Sequence, residues 1–274
     1  MPLISHISDT ARWVAVYRAR ETARPDAVFR DPFAERLAGE RGKALAEAMH
    51  AHGTFAAAMV ARTRIIDDFV LAAVAAGCDT VVNLAAGLDS RPYRLALPSS
   101  LAWVEVDLPE ILDEKERLLA GESPRCRLQR VSADLRTDRA RVLADPPGER
   151  VLVLTEGLVG YLPEEQVASL TRDLFAVPAI REWVTDLASP KIRAIMTRNV
   201  GGDLGSSQIV FAPENGVAFF EAFGWKLLEI RSLLREAIRL RRLPLRYRPF
   251  GWLPDPNPRR FGALPWSGVV RLGR

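Results

Sequence analysis

The chain has 274 residues, of which 48% are hydrophobic, so it is long enough to bury a continuous core without cross-links. Its two cysteines, Cys78 and Cys126, have the spacing of neither a metal knuckle nor a disulfide framework, which favours a reducing compartment. Residues 1–10 lack a signal-peptide pattern, and no apolar run approaches the roughly 20 residues that span a bilayer. These features exclude a disulfide-rich secreted scaffold and an integral membrane protein, and they predict a cytoplasmic chain.

Positive charge is concentrated late in the chain, where residues 231–260 hold nine arginines against Glu236 and Asp255. The whole chain carries a net charge of only +4, so the remainder is slightly acidic. Such a stretch is compatible with a nucleic-acid surface, but a solvated helix face followed by an arginine-bearing loop is commoner. Because no nucleic-acid-binding motif accompanies it, no nucleic-acid partner is expected. The arginines are Arg231, Arg235, Arg239, Arg241, Arg242, Arg246, Arg248, Arg259 and Arg260.

Helical patterns come first along the chain. Ser8 or Asp9 fits an N-cap, and the residues after it repeat at the spacing of an amphipathic helix. Asp31 followed by proline is typical of the start of a second, short helix, and residues 54–77 predict a long helix with a broad apolar stripe. Residues 1–53 are therefore predicted to form an N-terminal helical lid.

Short β-prone runs then alternate with helical segments. This alternation predicts right-handed βαβ units and a doubly wound, Rossmann-like α/β fold, with a mostly parallel sheet covered on both faces. Two later runs, at 226–230 and 267–272, predict an antiparallel edge, because an arginine-rich helix and a loop with six prolines separate them. Residues 1–274 are expected to be a single domain in which 190–213 form a cap insertion. The first five runs are 80–86, 102–107, 127–134, 151–155 and 182–187.

Carboxylates end four neighbouring strands of this predicted sheet. Asp89 follows the first strand, Glu105 and Asp107 end the second, Asp134 ends the third, and Glu156 follows the fourth. Ligands of open α/β sheets bind beyond the carboxyl ends of the strands. The sequence therefore predicts an electronegative crevice that suits a cationic ligand and repels a phosphate-rich one.

The loop after the first strand separates two cofactors that share this fold. A dinucleotide site uses Gly-x-Gly-x-x-Gly, so that backbone amides meet the pyrophosphate, whereas this loop has Gly87 followed by Asp89. S-adenosylmethionine has no phosphate, carries an ammonium and a sulfonium, and needs one close backbone approach. Gly87 can supply that approach, so the loop predicts S-adenosylmethionine as the cofactor.

Two carboxylates are candidate nucleoside ligands. Asp107 lies 20 residues after Gly87, where an acidic residue usually binds the ribose hydroxyls. Asp134 can accept a hydrogen bond from the adenine amino group, and the backbone of Leu135 can face the ring nitrogen. Each aspartate could instead cap the helix that follows it, and four carboxylates in successive strands favour the cofactor site as a set.

These residues resemble the leucine carboxyl methyltransferase family over nearly the whole chain, and more closely its bacterial branch, which includes the tetracenomycin polyketide-synthesis O-methyltransferase. The matching motifs are SDTA (8–11), DPFA (31–34), ARTR (61–64), VNLAAGLDSRPYR (82–94), VEVDLPE (104–110), ADL (133–135) and TEGL (155–158).

The resemblance implies that Arg62 binds the methionine carboxylate of the cofactor, Gly87 approaches its methionine portion, and Glu156 faces its ammonium. It also implies that Asp107 binds ribose and that residues 134–135 bind adenine. Family members often have glycine where this chain has Ala85, which could shift the loop slightly.

Arginines near these motifs also have structural interpretations. Arg62 or Arg64 could form surface ion pairs with Asp67 and Asp68, although the motif match favours cofactor binding by Arg62. The arginines at positions 91 and 94 are interpreted as structural.

No catalytic residue is assigned, because methyl transfer from a sulfonium depends mainly on alignment and exclusion of water. An ionised carboxylate acceptor needs no general base, and the three histidines, His6, His50 and His52, lie in the lid rather than at strand ends. No cluster of metal ligands is evident, so activity is expected without a metal.

The lid and the cap are expected to form the acceptor pocket, with Tyr17, Arg20 and Tyr161 as substrate-binding candidates. The predicted activity is O-methylation of a small natural-product acid of polyketide type. A phenol hydroxyl and a protein C-terminal carboxylate are the alternatives among acceptors. A cofactor-binding regulatory or RNA-associated module is the alternative from another class. The oligomeric state is left open.

Overall fold

The computed structural model describes residues 7–48, 53–144, 146–200 and 208–274. Seven strands form one sheet, and helices occupy most of the connections between them. The strands are β1 (Thr80–Leu84), β2 (Ala102–Asp107), β3 (Arg127–Ser132), β4 (Val151–Thr155), β5 (Ile180–Ala188), β6 (Lys226–Ser232) and β7 (Ser267–Gly273). The helices are α1 (Ile7–Thr22), α2 (Ala34–Ala48), α3 (Gly53–Ala75), α4 (Arg91–Arg94), α5 (Pro109–Leu118), α6 (Arg139–Leu143), α7 (Glu164–Ala176), α8 (Pro190–Val200), α9 (Ala218–Glu221) and α10 (Leu233–Arg239). Single 3-10 turns lie at Val159–Tyr161 and Leu245–Gly251.

The strand order is β3-β2-β1-β4-β5-β7-β6, and the first five strands are mutually parallel. Strand β7 runs antiparallel between β5 and β6, so β6 forms the edge. The order reverses direction at β1, with β2 on one side and β4 on the other, and such a switch point is where ligands bind in doubly wound sheets. The predicted fold class and the antiparallel C-terminal edge are confirmed.

Apolar side chains leave both faces of the sheet, as the alternation of a strand requires. On one face Val82 and Leu84 join a core that includes Leu170 of α7. On the other face Val81 packs in a core with Ile65 of α3. Strand β1 is fully buried because helices cover it from both sides.

Element boundaries differ from the predictions in three places near the site. Strand β1 ends at Leu84 rather than at residue 86, so Ala85 and Ala86 of the cavity lining belong to the loop after it. Strand β3 ends at Ser132, so Asp134 lies two residues beyond the strand rather than at its end. The second helix has 15 residues, longer than the short helix predicted, and Gly39 interrupts its helical path with φ 58° and ψ −176°. Glycine accepts that left-handed conformation at little cost, which keeps the two halves of α2 in one element.

Helices α1, α2 and α3 pack into a third core beside the sheet. Trp13 stacks on Phe55 with ring centroids 4.4 Å apart, which ties α1 to α3. The end of α1 is also bound from the far end of the chain, because Arg242 donates to Glu21 at 2.7 Å and both side chains are buried. The described part of the predicted lid is therefore fixed to the domain.

Much of the late positive charge is neutralised internally. Arg231 pairs with Asp68, Arg235 with Asp255, and Arg259 with Glu221. The absence of a nucleic-acid partner at this stretch stays an expectation. Within the described ranges, no helix is both long and apolar enough to cross a bilayer.

Candidate active site

A cavity of about 810 Å³ opens at the carboxyl ends of β1, β2, β4 and β5. Helices α1 and α3 close it on one side, and α8 closes it on another. Four carboxylates and two arginines are the charged side chains among its described lining residues. Of the carboxylates predicted at this edge, Asp89, Asp107 and Glu156 line the cavity, whereas Asp134 does not and Glu105 is buried in ion pairs with Lys115 and Arg130. The charged lining residues are Arg18, Arg62, Asp89, Asp107, Glu156 and Asp186.

The loop after β1 is held by Asp107. The amide of Gly87 donates to the Asp107 carboxylate at 2.7 Å, and the amide of Leu108 donates to it at 2.8 Å. Burial raises the pKa of Asp107, although these two amide bonds partly offset the effect. Gly87 has φ 48°, and Ala85, which replaces the glycine frequent in the family, has φ 54°. The backbone therefore keeps a left-handed conformation at Ala85, at a cost of about 1 kcal/mol relative to glycine.

Arg62, Glu156 and Asp186 form a triad of charges on the cavity wall. Nε of Arg62 lies 3.0 Å from Glu156, and Nη1 lies 3.3 Å from Asp186. Burial would raise the pKa of Glu156, but the cations of Arg91 and Arg62 lower it. Burial would lower the pKa of Arg62, but the two carboxylates raise it. Glu156 and Arg62 are therefore both ionised at neutral pH.

The alternative of a surface ion pair applies to Arg64 rather than Arg62. Arg64 is 2.8 Å from Asp68, one helical turn later, whereas Arg62 is only 9% exposed and points into the cavity wall. Asp67 is instead bound by Arg91 and Arg94, each at 2.7 Å. Both of those arginines are buried, as their structural interpretation requires.

Asp186 is a lining carboxylate that the sequence analysis missed. It lies near the end of β5, where the fifth strand reaches the same edge as the other four, and it accepts a hydrogen bond from the amide of Gly157 at 2.7 Å. The signal was available, because Asp186 falls inside the run predicted as the fifth strand. The pattern of carboxylates at the ends of parallel strands therefore extends to β5.

Asp134 and Leu135 lie outside the described cavity lining. The Asp134 carboxylate accepts from the backbone amide of Arg136 at 2.9 Å and from its guanidinium at 2.7 Å. These hydrogen bonds lower the pKa of Asp134 to about 2. In the structure Asp134 therefore stabilises the turn that contains Arg136. Binding of adenine by Asp134 and Leu135 stays a prediction.

The three substrate-binding candidates differ in whether they line the cavity. Tyr161 lines the cavity. Tyr17 does not, because its ring is buried in the core of the N-terminal helices, where its hydroxyl accepts from the indole of Trp13 at 2.8 Å. Arg20 is exposed beside the ring of Tyr17, and it is Arg18, half a turn earlier, that reaches the cavity.

The model of the leucine carboxyl methyltransferase family matches residues 11–175, which is more than half of the chain. The chain belongs to this family. It is 30% identical to a Mycobacteroides abscessus protein over 261 residues, covering 82% of this chain and 86% of that protein. It is 35% identical to a Frankia alni protein over 250 residues, covering 81% and 84%. Both relatives are named as S-adenosyl-L-methionine-dependent methyltransferases, and S-adenosylmethionine is the cofactor of this family member.

Solved structures support the same fold. A DUF574 family protein from Streptomyces avermitilis superposes with a TM-score of 0.62 at 17% identity, covering 97% of both chains. A methyltransferase from Thermobifida fusca superposes with a TM-score of 0.57 at 17% identity, covering 96% of this chain and 94% of that chain. The sheet of this methyltransferase is thus of class I.

The residues of the methyltransferase cavity fit the cofactor. Glu156 is a carboxylate that suits the ammonium of the cofactor, and Arg62 suits its methionine carboxylate. The buried carboxylate of Asp107 suits the ribose. Gly87 presents bare backbone to the cavity with φ 48°, a conformation that favours glycine. The described residues contain no group of three or more histidine, cysteine or acidic side chains that could bind a metal. The three histidines of the chain lie outside the described residues.

Apolar side chains form the rest of the cavity. Described residues of the predicted cap supply part of this wall, and α1 and α3 supply the facing part. The apolar wall comprises Trp13, Val14, Phe55, Met59, Leu162, Ile192, Ile195, Met196, Ile209 and Phe211. The cavity therefore has a charged end at the sheet and an apolar chamber beneath the helices.

Proposed function

We propose that this methyltransferase transfers the methyl group to a carboxylate oxygen of a small, largely apolar acid, such as a natural product of polyketide type. The observation that carries the proposal is the division of the cavity into a carboxylate-lined end and an apolar chamber. The apolar chamber matches the body of such an acid, since apolar ligand surface is the main content of small-molecule sites.

The charged end is suited to hold the cofactor. Glu156 and Arg62 would bind the ammonium and the carboxylate of its methionine portion, and Asp107 would bind its ribose. When bound, S-adenosylmethionine supplies a methyl group on a sulfonium, which is an activated leaving group. Arg62 stays charged in this role because Glu156 and Asp186 raise its pKa.

An acceptor carboxylate needs no proton removed before it attacks. Neither lining arginine is available to pair with it, because Arg62 is assigned to the cofactor carboxylate and Arg18 donates to Asp31 at 2.8 Å. The sulfonium would therefore be the cation that pairs with an acceptor carboxylate in the apolar chamber and favours its ionised form. Opposite charges that cancel in the transition state favour a site from which the protein excludes water.

Tyr161 is the candidate residue for orienting this carboxylate. Desolvation raises the pKa of its phenol, and the nearby Arg62 cation only partly offsets this, so the hydroxyl keeps its proton at neutral pH. A neutral phenol can donate one hydrogen bond to the acceptor oxygen that does not attack.

The test is the chemical stability of the product. Incubation with methyl-labelled cofactor and a panel of apolar aromatic acids should give a labelled product that releases methanol in mild alkali, because esters hydrolyse there and aryl ethers do not. A matched panel with the same ring systems and a phenol in place of the carboxyl group is the control. Alkali-stable label from the phenol panel alone would contradict carboxyl methylation.

A phenol acceptor is the second candidate, and Asp186 is the observation that favours it. Its carboxylate lies on the cavity wall near Tyr161 and is 24% exposed, so it could accept the proton that a phenol must lose. With a phenol acceptor, Asp186→Asn should lower kcat with a changed pH profile. With a carboxylate acceptor the pH profile should be unchanged.

A further inference from the structure

An exposed segment outside the active site combines apolar and cationic side chains. We define it as the 245–253 segment, which contains the 3-10 turn Leu245–Gly251 and the two residues after it. Trp252 is 85% exposed, Leu245 68% and Leu253 57%. Phe250 is also exposed, at 49%. Four large apolar side chains within nine residues therefore face outward, whereas scattered single apolar residues are the normal condition of a protein surface.

The backbone of this segment is ordered by specific hydrogen bonds. The amide of Tyr247 donates to the carbonyl of Pro244 at 3.0 Å, and the amide of Trp252 donates to that of Pro249 at 3.2 Å. The guanidinium of Arg235 on α10 donates to the carbonyl of Leu253. The segment thus presents its apolar side chains from a fixed turn that is anchored to α10.

Its charge is entirely positive. The chain has no acidic residue between Glu236 and Asp255, and both of these pair with arginines outside the segment. Arg246 and Arg248 are exposed, and neither forms an ion pair with a carboxylate of the described residues. The ion pairs described for residues 231–260 therefore do not include Arg246 or Arg248.

We propose that the 245–253 segment binds the surface of an anionic lipid bilayer. Tryptophan and phenylalanine are favoured at the boundary between headgroups and hydrocarbon, leucine gains by entering the hydrocarbon, and arginine is attracted to anionic headgroups. Each basic residue near such a surface contributes about 1 kcal/mol, so Arg246 and Arg248 supply attraction while Trp252 and Leu253 supply insertion.

Other occupants fit fewer of these residues. Single-stranded nucleic acid would use the arginines and stack on Trp252, but it would leave the leucines exposed. A second copy of the chain would bring Arg246 and Arg248 against their own counterparts, which is repulsive. A bilayer accommodates the tryptophan, the phenylalanine, both leucines and both arginines at once. The proposal does not depend on which oxygen the enzyme methylates.

The experiment is sedimentation with lipid vesicles at low ionic strength. The full chain should sediment with vesicles of phosphatidylcholine containing about one third phosphatidylglycerol, and much less with pure phosphatidylcholine. Trp252→Ala and the double variant R246Q/R248Q should each weaken binding, the double variant by about 25-fold if each arginine contributes about 1 kcal/mol. Added salt should weaken wild-type binding, because it screens the headgroup charge.

Matched controls come from exposed residues elsewhere. Leu228→Ala removes a side chain that is 51% exposed on the edge strand β6, and Arg127→Gln removes an exposed arginine of β3. Both should bind vesicles as the wild type does, and thermal unfolding checks that every variant is folded. Absence of wild-type binding to anionic vesicles would overturn the proposal. So would equal binding by Trp252→Ala, or a Trp252-dependent dimer or RNA complex formed without vesicle binding.

Discussion

Replacing Arg91 by methionine should lower the free energy of unfolding by about 3–5 kcal/mol, the effect expected when one partner is removed from a buried ion network. Arg91 is 2% exposed, and its guanidinium lies 2.7 Å from Asp67, 3.0 Å from Asp89 and 2.8 Å from Glu156. Methionine replaces the aliphatic stem of arginine but has no charge, so it would leave three carboxylates with weaker compensation.

The pH dependence of this effect has a defined sign. Burial would raise the pKa of Asp89, but cations, Arg91 foremost, lower it from 3.8 to about 2, and Arg91 also lowers the pKa of Glu156 from 4.5. Groups with a lowered pKa stabilise the fold above their unfolded pKa and lose that contribution as the pH falls through the folded pKa. The difference between wild type and Arg91→Met should therefore be largest above pH 4.5 and shrink towards pH 2.

Arg36→Met is the matched control for Arg91→Met. Arg36 also pairs with a carboxylate at 2.7 Å, that of Glu122, but both side chains are exposed at the surface. Its loss should change the free energy of unfolding by less than about 1 kcal/mol. Urea unfolding monitored by circular dichroism measures both variants. A similar small change in both would show that the network around Arg91 contributes no more than a surface pair.

Asp107→Asn should weaken the binding of S-adenosylhomocysteine by about 5–150-fold, which corresponds to about 1–3 kcal/mol. The proposed role of Asp107 is to accept hydrogen bonds from the ribose hydroxyls while it holds the amides of Gly87 and Leu108. Asparagine has one acceptor oxygen in place of two, and its amide group would face an N–H donor. The substitution should therefore weaken both the ribose contact and the hydrogen bonds that hold the loop after β1.

A cofactor analogue separates these two consequences. If Asp107 contacts ribose directly, an analogue without the ribose hydroxyls should bind wild type weakly and should lose less affinity in Asp107→Asn than S-adenosylhomocysteine does, the remaining loss measuring the effect on the loop. Asp113→Asn, an exposed change on α5, is the control and should bind as the wild type does. Unchanged affinity in Asp107→Asn would favour a purely structural role.

Asp134→Ala tests the adenine site in the same assay. The expected result is weaker binding of S-adenosylhomocysteine, through the lost contact with the adenine amino group. The contact that Asp134 makes in the structure is with Arg136, so Arg136→Ala, which frees the carboxylate, is the matched variant. Unchanged affinity in Asp134→Ala would assign Asp134 to the turn alone.

The sheet and its ligand-binding edge follow from short-range sequence patterns. Strands β2 and β4 have the bounds predicted for them. Strand β4 is a compact apolar run between Arg150 and Glu156, and β2 ends shortly before the proline that opens α5. The end of β3 was misplaced by two residues, since its pattern continues into a turn that hydrogen bonds among Asp134, Arg136 and Asp138 define. Asp107 and Glu156 were predicted at the crevice because the end of a strand can be recognised from residues that are adjacent in sequence.

The acceptor pocket was harder to predict because it depends on how helices dock. Tyr17 and Arg20 lie on an amphipathic helix whose pattern shows a buried face but not which neighbour that face meets. Docking of α1 against α3 buries Tyr17 beside Phe55 and turns Arg20 outward, so Arg18 reaches the cavity instead. Arg91 is a similar case, because two of its three carboxylate partners, Asp67 and Glu156, come from distant parts of the chain.

Isothermal calorimetry with S-adenosylhomocysteine tests most directly the claim that this cavity is a methyltransferase cofactor site. The wild-type protein should bind one equivalent, the melting temperature should rise with ligand concentration, and NAD should give no heat of binding. The electronegative lining formed by Asp107, Glu156 and Asp186 is the physical reason for that discrimination, because it repels a pyrophosphate. Binding of NAD without any interaction with S-adenosylhomocysteine would contradict the account.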